Sequence, residues 1–89
     1  MTKRLLTFTP IGWEDHIYWQ EHDKKLARKI KLILEVLKTP FTGSGKPEPL
    51  KSDYAGYWSR RIDKEHRLIY SVSDEHILVA QCRFHYDRK

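Results

Sequence analysis

The clearest pattern along the chain is a helical spacing of apolar residues between positions 24 and 38. Most of the basic side chains of this segment fall between the apolar positions, which is typical of an amphipathic helix. The chain then reaches Thr39 and Pro40, and a residue before proline is disfavoured in helical conformation. We therefore predict a helix over 24–38, with a core face formed by Leu26, Ile30, Ile33, Leu34 and Leu37.

The segment before this helix is less regular. Residues 13–21 favour a helix, although their aromatic side chains spread over a wider arc than one stripe. Residues 3–9 are predicted to form a short strand that ends at Pro10, because proline cannot donate a hydrogen bond to a sheet ladder. We therefore expect a strand at a sheet edge, followed by two helices in a hairpin. The large aromatic residues interpreted as core are Trp13, Trp19, Trp58 and Tyr70.

Alternation of apolar and polar residues predicts three strands near the C-terminus, over 57–62, 66–73 and 76–86. Short polar turns separate them, so we expect an antiparallel meander. Successive side chains of a strand point to opposite faces of a sheet. The predicted core face contains Leu68, Tyr70, Val72, Leu78, Ala80, Cys82 and Phe84, and the opposite face contains Arg67, Ile69, Gln81, Arg83 and His85.

Between the helices and the strands lies a segment, 41–56, that is rich in glycine and proline. A structureless connection of this length is uncommon in a compact domain unless it is functional or disordered. Pro47 and Pro49 stiffen the backbone on both sides of Glu48, which argues against disorder. We therefore interpret the segment as an ordered, functional loop. The predicted architecture is α+β: one domain over 1–89 that packs an N-terminal strand and a helical hairpin on an antiparallel sheet.

Composition narrows the functional classes. The 89 residues fit one domain, and three Trp, five Tyr and three Phe are too many for a disordered chain. No apolar run approaches the length of a membrane span, and the single cysteine, Cys82, excludes an internal disulfide. We therefore expect a cytoplasmic protein that does not contact a membrane. The formal net charge of +5 favours a polyanionic partner, either nucleic acid or an acidic protein.

The candidate chemistry lies in the loop and on the off-core face of the predicted sheet. No nucleotide-binding motif is present, and Cys82 with His85 lacks the second pair of a structural zinc site, so we expect no cofactor and no metal. The remaining polar residues suit metal-free RNA cleavage, which needs a base, a cation for the phosphorane and an acid. Each residue alone is more often a solvated surface group. The set contains Glu48, Lys51, Arg60, Arg61, Arg67, His85 and Tyr86.

Four blocks of the sequence resemble the Txe/YoeB toxins, a branch of the RelE/ParE superfamily of bacterial toxin-antitoxin modules. They are GKPEPLK at 45–51, WSRRI at 58–62, EHRLIY at 65–70 and HY at 85–86. The resemblance implies a RelE-like fold and a ribosome-dependent messenger-RNA endoribonuclease. It also implies roles by position: Glu48 as general base, Arg67 at the transition state and His85 as general acid, with Lys51, Arg61 and Tyr86 contacting or positioning the substrate.

The resemblance extends to products and partners. Cleavage would occur in the ribosomal A site without metal and leave a 2′,3′-cyclic phosphate or 3′-phosphate and a 5′-hydroxyl. The expected partners are the ribosome, messenger RNA and a YefM-like antitoxin, and the expected assembly is a homodimer. Two other classes stay open. A ParE-like gyrase inhibitor would share the fold without needing Glu48, Arg67 and His85 together, and a non-catalytic RNA-binding module would slow translation while leaving messages intact.

Overall fold

The computed structural model of the protein describes residues 4–24 and 26–84, and both predicted helices and all four predicted strands are present there. The elements in chain order are β1 (Leu5–Phe8), α1 (Pro10–His22), α2 (Leu26–Lys38), β2 (Glu48–Pro49), β3 (Tyr57–Arg61), β4 (Arg67–Val72) and β5 (His76–Gln81). One turn of 3-10 helix, Ser52–Tyr54, lies between β2 and β3. The strand β2 was not predicted; it lies within the segment interpreted as a loop.

The strands form a five-stranded sheet in the order β1-β5-β4-β3-β2. β3, β4 and β5 pair antiparallel and so form the predicted meander, and β2 pairs antiparallel with β3. β1 pairs only with β5 and lies at an edge of the sheet, as predicted. The α+β architecture is confirmed, but the sheet is mixed because β1 joins it parallel to β5.

The first helix begins at Pro10, earlier than predicted. The Thr9 hydroxyl accepts a hydrogen bond from the Gly12 amide at 2.9 Å and so caps the helix. Proline suits the first helical position, because the N–H that it lacks would have no partner within the helix. Gly12 lies against the sheet, where an added Cβ would be 2.3 Å from the Val79 carbonyl oxygen. The absence of a side chain therefore allows α1 to pack closely on β5.

The hydrophobic core lies between the helices and one face of the sheet. Its buried members are Trp19, Leu32, Ile33, Val36, Ile62, Leu68, Tyr70, Ile77, Val79 and Cys82, and Trp58 and Leu37 pack against them. The predicted core positions Trp19, Trp58 and Tyr70 are thus confirmed. Within the described ranges, no helix is long and apolar enough to cross a membrane.

Two predicted core residues are instead on the surface. Leu34 is 54% exposed, because the buried stripe of α2 runs through positions 32, 33 and 36. Trp13 is 51% exposed and lies edge-on to the Phe8 ring, with 5.6 Å between centroids. Two further predicted core positions, Leu26 and Ile30, have side chains outside the described part of the chain.

The face assignment of β5 is partly wrong, and a β-bulge explains why. Ile69 of β4 pairs with Gln81, but the next residue, Tyr70, pairs with Val79, so Ala80 has no partner on β4. An extra residue in one strand shifts the alternation of faces by one position. Ile77 and Val79 therefore face the core in place of Leu78 and Ala80, whereas Cys82, beyond the bulge, is buried as predicted. The assignment for β4 is confirmed for Leu68 and Tyr70.

Candidate active site

The off-core face of the sheet brings three of the predicted site residues together. Glu48 is paired with Ser59, and Arg61 is paired with Arg67 on the adjacent strand. Directly opposed residues of an antiparallel pair project to the same face, and Ser59 and Arg61 are two positions apart on β3. Glu48, Arg61 and Arg67 therefore project from the same side of the sheet. This side is opposite to the one that carries Trp58, Leu68 and Tyr70 into the core.

Glu48 and Lys51 lie at the rim of this face on a tightly built segment. Both are exposed, and residues 48–54 line an open cleft of about 420 Å³. The backbone is left-handed at Lys46, with φ of 51°, and at Ser52, with φ of 56°. Such conformations are unfavourable for residues with a side chain and concentrate at functional sites. The two bends lie at the ends of residues 46–52, called here the Glu48 segment, and fix its direction relative to β3.

Gly45 joins this segment to the sheet. Its carbonyl oxygen accepts a hydrogen bond from the Arg61 amide at 2.7 Å, and its φ is +84°. A Cβ at this position would be 2.9 Å from the Arg61 carbonyl oxygen, so a side chain is excluded by both conformation and space. At the other end, the Leu50 amide donates to the Tyr57 carbonyl oxygen at 2.9 Å. The Glu48 segment is therefore attached to β3 on both sides.

Arg61 and Arg67 place two guanidinium groups on neighbouring strands. Opposed like charges repel in the free protein, so this pair creates a position where an anion would be favourable. Arg67 is half-buried, and its Nη1 donates to the carbonyl oxygens of Asp63 at 2.9 Å and His66 at 3.1 Å. These hydrogen bonds restrain the turn between β3 and β4. Arg61 is exposed.

Arg60, which belonged to the wider candidate set, does not join this face. It projects to the core side and is fully buried, where its Nη1 pairs with Glu35 Oε1 at 3.0 Å. The pKa of Glu35 is lowered, chiefly by the hydrogen bond from the Ser44 amide and further by the Arg60 charge, although desolvation opposes the shift. Burial raises the pKa of Tyr70, so its hydroxyl stays protonated and donates to the Pro40 carbonyl oxygen at 2.6 Å.

His85 and Tyr86 lie outside the described residues, but the backbone leading to them is anchored from two directions. Asp15 and Trp19 of α1 are buried and bind Cys82: a carboxylate oxygen of Asp15 accepts from its amide at 3.0 Å, and Trp19 Nε1 donates to its carbonyl oxygen at 2.6 Å. The Phe84 amide donates to His66 Nδ1 at 2.7 Å. The Arg67 amide donates to the Phe84 carbonyl oxygen at 2.9 Å, so His85 follows a residue bound to β4.

The sequence-based reasoning missed these anchoring residues. Asp15 and His66 carry no pattern of their own, because each acts on a backbone group that is remote in sequence. His66 does lie inside the EHRLIY block, and this position was the one indication in the sequence that His66 has a role at the site.

Arg83 was misassigned to the off-core face: its guanidinium lies 3.4 Å from the centroid of the Tyr18 ring on α1. Beyond the end of β5 at Gln81, strand alternation no longer determines direction.

In residues 4–24 and 26–84, no group of three or more His, Cys, Asp or Glu side chains is arranged to hold a metal ion. The functional groups of the site within the described residues are the exposed Glu48 carboxylate, the exposed Lys51 ammonium and the guanidinium groups of two arginines. A carboxylate can take a proton, and guanidinium groups can bind a phosphate and the extra charge of a phosphorane. The arrangement is suited to an acid-base reaction at a phosphate.

Comparison with known proteins points to one family. A model of the "YoeB-like toxin of bacterial type II toxin-antitoxin system" matches residues 8–86. The chain is 52% identical over 82 residues to "Toxin YoeB" of Escherichia coli strain K12, covering 91% of this chain and 98% of that protein. It is 49% identical over 84 residues to "Toxin YoeB" of Synechocystis, covering 93% and 98%.

Solved structures give the same result. A YoeB/ParE toxin from Agrobacterium tumefaciens superposes with a TM-score of 0.87 at 48% identity, over 97% of this chain and all of that one. A YoeB dimer from Staphylococcus aureus has a TM-score of 0.82 at 46% identity, over 96% of this chain and 100% of that one. A heterotetrameric YoeB-YefM toxin-antitoxin complex from the same species has a TM-score of 0.81 at 46% identity and the same coverage.

Proposed function

Because the chain belongs to the YoeB-like toxins of bacterial type II toxin-antitoxin systems, we propose that it cleaves messenger RNA in the ribosomal A site and thereby stops translation. The observation that supports this most directly is the common face of Glu48, Arg61 and Arg67. A base and two cations on one surface match the charges of a phosphodiester and its transition state. Neither a fold-building role nor simple RNA binding requires an exposed carboxylate among the cations.

The proposed reaction is an attack of the RNA on its own backbone. Glu48 takes the proton of a 2′-hydroxyl, and the 2′-oxygen then forms a bond to the adjacent phosphorus. Arg67, with Arg61, stabilises the phosphorane as the bond from phosphorus to the 5′-oxygen breaks. His85 donates a proton to the departing 5′-oxygen. The products are a 2′,3′-cyclic phosphate, which can open to a 3′-phosphate, and a 5′-hydroxyl.

Lys51 and Tyr86 complete the proposed site as substrate contacts. Lys51 lines the same cleft as Glu48, where its ammonium would neutralise a neighbouring phosphate. Tyr86 follows His85 and offers an aromatic face on which a base can stack. The cleft is open and is lined by residues 48–54 only, so it offers little surface to hold RNA by itself. This supports a substrate that is presented by the ribosome.

The proposed partners follow from the charge of the chain and from its relatives. Relatives from S. aureus occur as a dimer and as a complex with the antitoxin YefM. With a net charge of +5, this chain suits an acidic antitoxin that covers the Arg61 and Arg67 face and competes with RNA. We propose the same two assemblies here, a homodimer and a complex with a YefM-like antitoxin. Translated messages also imply a cytoplasmic site of action.

The experiment that tests this function maps message ends by primer extension after brief induction of the protein in cells. The wild-type protein should produce new ends inside codons of translated messages, and Glu48→Ala and His85→Ala should produce none. Lys64→Ala, an exposed change outside the proposed site, serves as the control and should cleave normally. Arrested growth with intact messages would contradict the proposal. Loss of DNA supercoiling under those conditions would indicate a gyrase inhibitor.

A further inference from the structure

Arg60 is a charged residue that the proposed reaction does not use, and it is nevertheless fully buried. A guanidinium group has five N–H donors, and all of those of Arg60 are bonded. Nε donates to Tyr70 Oη at 3.1 Å, Nη1 to Glu35 Oε1 at 3.0 Å and the Ser44 carbonyl oxygen at 3.2 Å, and Nη2 to the carbonyl oxygens of Thr39 and, at 2.7 Å, Thr42. A buried cation is unfavourable unless it is paired and hydrogen-bonded. Here that requirement is fully met.

The acceptors are concentrated in one segment of backbone. Three of the five are carbonyl oxygens within residues 39–44, which connect α2 to the Glu48 segment. Two side chains of the same cluster reinforce this arrangement. Tyr70 donates to the Pro40 carbonyl oxygen at 2.6 Å, and Glu35 Oε1 accepts from the Ser44 amide at 2.5 Å. The segment is therefore wrapped around a single guanidinium.

The fixed segment leads directly to the proposed base. After Ser44, the Gly45 carbonyl oxygen accepts from the Arg61 amide at 2.7 Å, and Glu48 then pairs with Ser59. The side chain of Arg60 and the backbone of its neighbour Arg61 thus hold consecutive parts of the same chain. Loosening the first part would change where the second part begins.

We propose that Arg60, together with Glu35 and Tyr70, positions the Glu48 carboxylate by holding residues 39–44 in one conformation. The inference rests on the proposed function, in which Glu48 is the general base. A base must lie within hydrogen-bond reach of the proton that it takes, and a displacement of about 1 Å can lower a rate about 100-fold. Arg60 is a positioning residue, because it acts on the substrate only through the segment that carries Glu48.

The geometry also explains why the residue is an arginine. The five acceptors surround a planar group and lie on three different parts of the chain. Lysine has a compact ammonium with three donors, so it cannot bind all five acceptors around the edge of this plane. Arg60→Lys keeps the charge and removes this fork, so it separates positioning from electrostatic pairing.

The test uses the full chain and two variants of the cluster, Arg60→Lys and Glu35→Gln, with Glu75→Gln as a matched change at an exposed glutamate outside it. Two sets of quantities are measured: amide hydrogen exchange of residues 44–46, Glu48 and Arg61, and kcat and KM for cleavage on ribosomes. We expect Arg60→Lys to lower kcat about 100-fold and Glu35→Gln to lower it about tenfold, with little change in KM. In both variants these amides should exchange faster, whereas Glu75→Gln should match the wild type.

A purely structural role would reduce the folded fraction and leave kcat of the folded protein unchanged. Wild-type exchange rates in both variants, or faster exchange with unchanged kcat, would overturn the proposal. If Arg60→Lys does not fold, Glu35→Gln decides the result, because it keeps Arg60 in place. Glu48→Gln tests the underlying function separately. If Glu48→Gln cleaves at the wild-type rate, Glu48 is not the base, and the exchange data alone then decide whether Arg60 orders the segment.

Discussion

At the scale of single residues, Arg67 has a proposed catalytic role and a structural role, and the sequence indicated only the first. It is the proposed phosphorane ligand, and its Nη1 also holds carbonyl oxygens of the turn that follows β3. The neighbouring arginines show how limited residue type is as a guide. Arg60 and Arg61 are adjacent and chemically identical, yet one is fully buried in a structural cluster and the other is exposed on the proposed site. Strand alternation, and not residue type, distinguishes them.

We predict that Arg67→Ala lowers cleavage by a factor of about 100 to 1,000, because a donor to the transition-state charge is lost. The same change should lower the free energy of unfolding by about 1 kcal/mol, because the carbonyl oxygens of Asp63 and His66 lose a donor. Cleavage assays on ribosomes and urea unfolding measure the two effects. Arg61→Ala is the matched change and should weaken cleavage with little effect on stability. Full activity of Arg67→Ala would exclude its catalytic role.

At the scale of elements, the sequence predicted the regular parts and failed where contacts remote in sequence decide the outcome. The α2 periodicity gave the helix and its end at Lys38, and the turn residues gave the meander. Alternation gave the off-core position of Arg67, but it could not show the bulge at Ala80, because a bulge has no local pattern. The strand β2 was equally hidden. It contains two residues and is defined by its pairing with β3, which the segment itself does not show.

The attachment of Phe84 provides a prediction about the segment that leads to His85. His66→Phe keeps an aromatic ring beside Trp19 but removes the acceptor for the Phe84 amide. We expect cleavage to fall about tenfold, because the residue before His85 loses its hydrogen bond to the His66 ring and keeps the one to the Arg67 amide. His66→Gln keeps an acceptor and should retain more activity. Equal rates for the two variants, measured on ribosomes, would show that this hydrogen bond does not matter for catalysis.

The hydrogen bond from the Ser44 amide to Glu35, together with the Arg60 charge, predicts a dependence of stability on pH. The pKa of Glu35 is lower in the folded protein than its ordinary value of 4.5, first because of the Ser44 amide. A group with a lowered folded-state pKa stabilises the fold above its unfolded pKa, and this contribution disappears as pH falls through the folded pKa. Urea unfolding should therefore show a wild-type advantage over Glu35→Gln at pH 7 that shrinks under acidic conditions. A difference that stays constant as the pH falls would contradict this.

At the scale of the whole molecule, the proposed site occupies one face of the sheet, and the core occupies the other. The helices cover one face of the sheet, so the opposite face is available for Glu48 and for the two arginines, Arg61 and Arg67. The resemblance in sequence assigned a role to each residue of the proposed site, whereas composition indicated only a preference for an anionic partner. The hydrogen bonds that Arg60, Asp15 and His66 make to segments remote in sequence became apparent only from the three-dimensional arrangement.

We propose that this protein cleaves messenger RNA by an acid-base reaction in the ribosomal A site. The most direct measurement incubates the purified protein with ribosomes that carry a defined message and an empty A site, and then determines the ends of the fragments. We predict one cut within the A-site codon, with a 2′,3′-cyclic phosphate or 3′-phosphate upstream and a 5′-hydroxyl downstream, and no cut with Glu48→Ala or His85→Ala. An intact message would contradict the proposed cleavage, and a 5′-phosphate on the downstream fragment would contradict the proposed attack by the 2′-oxygen.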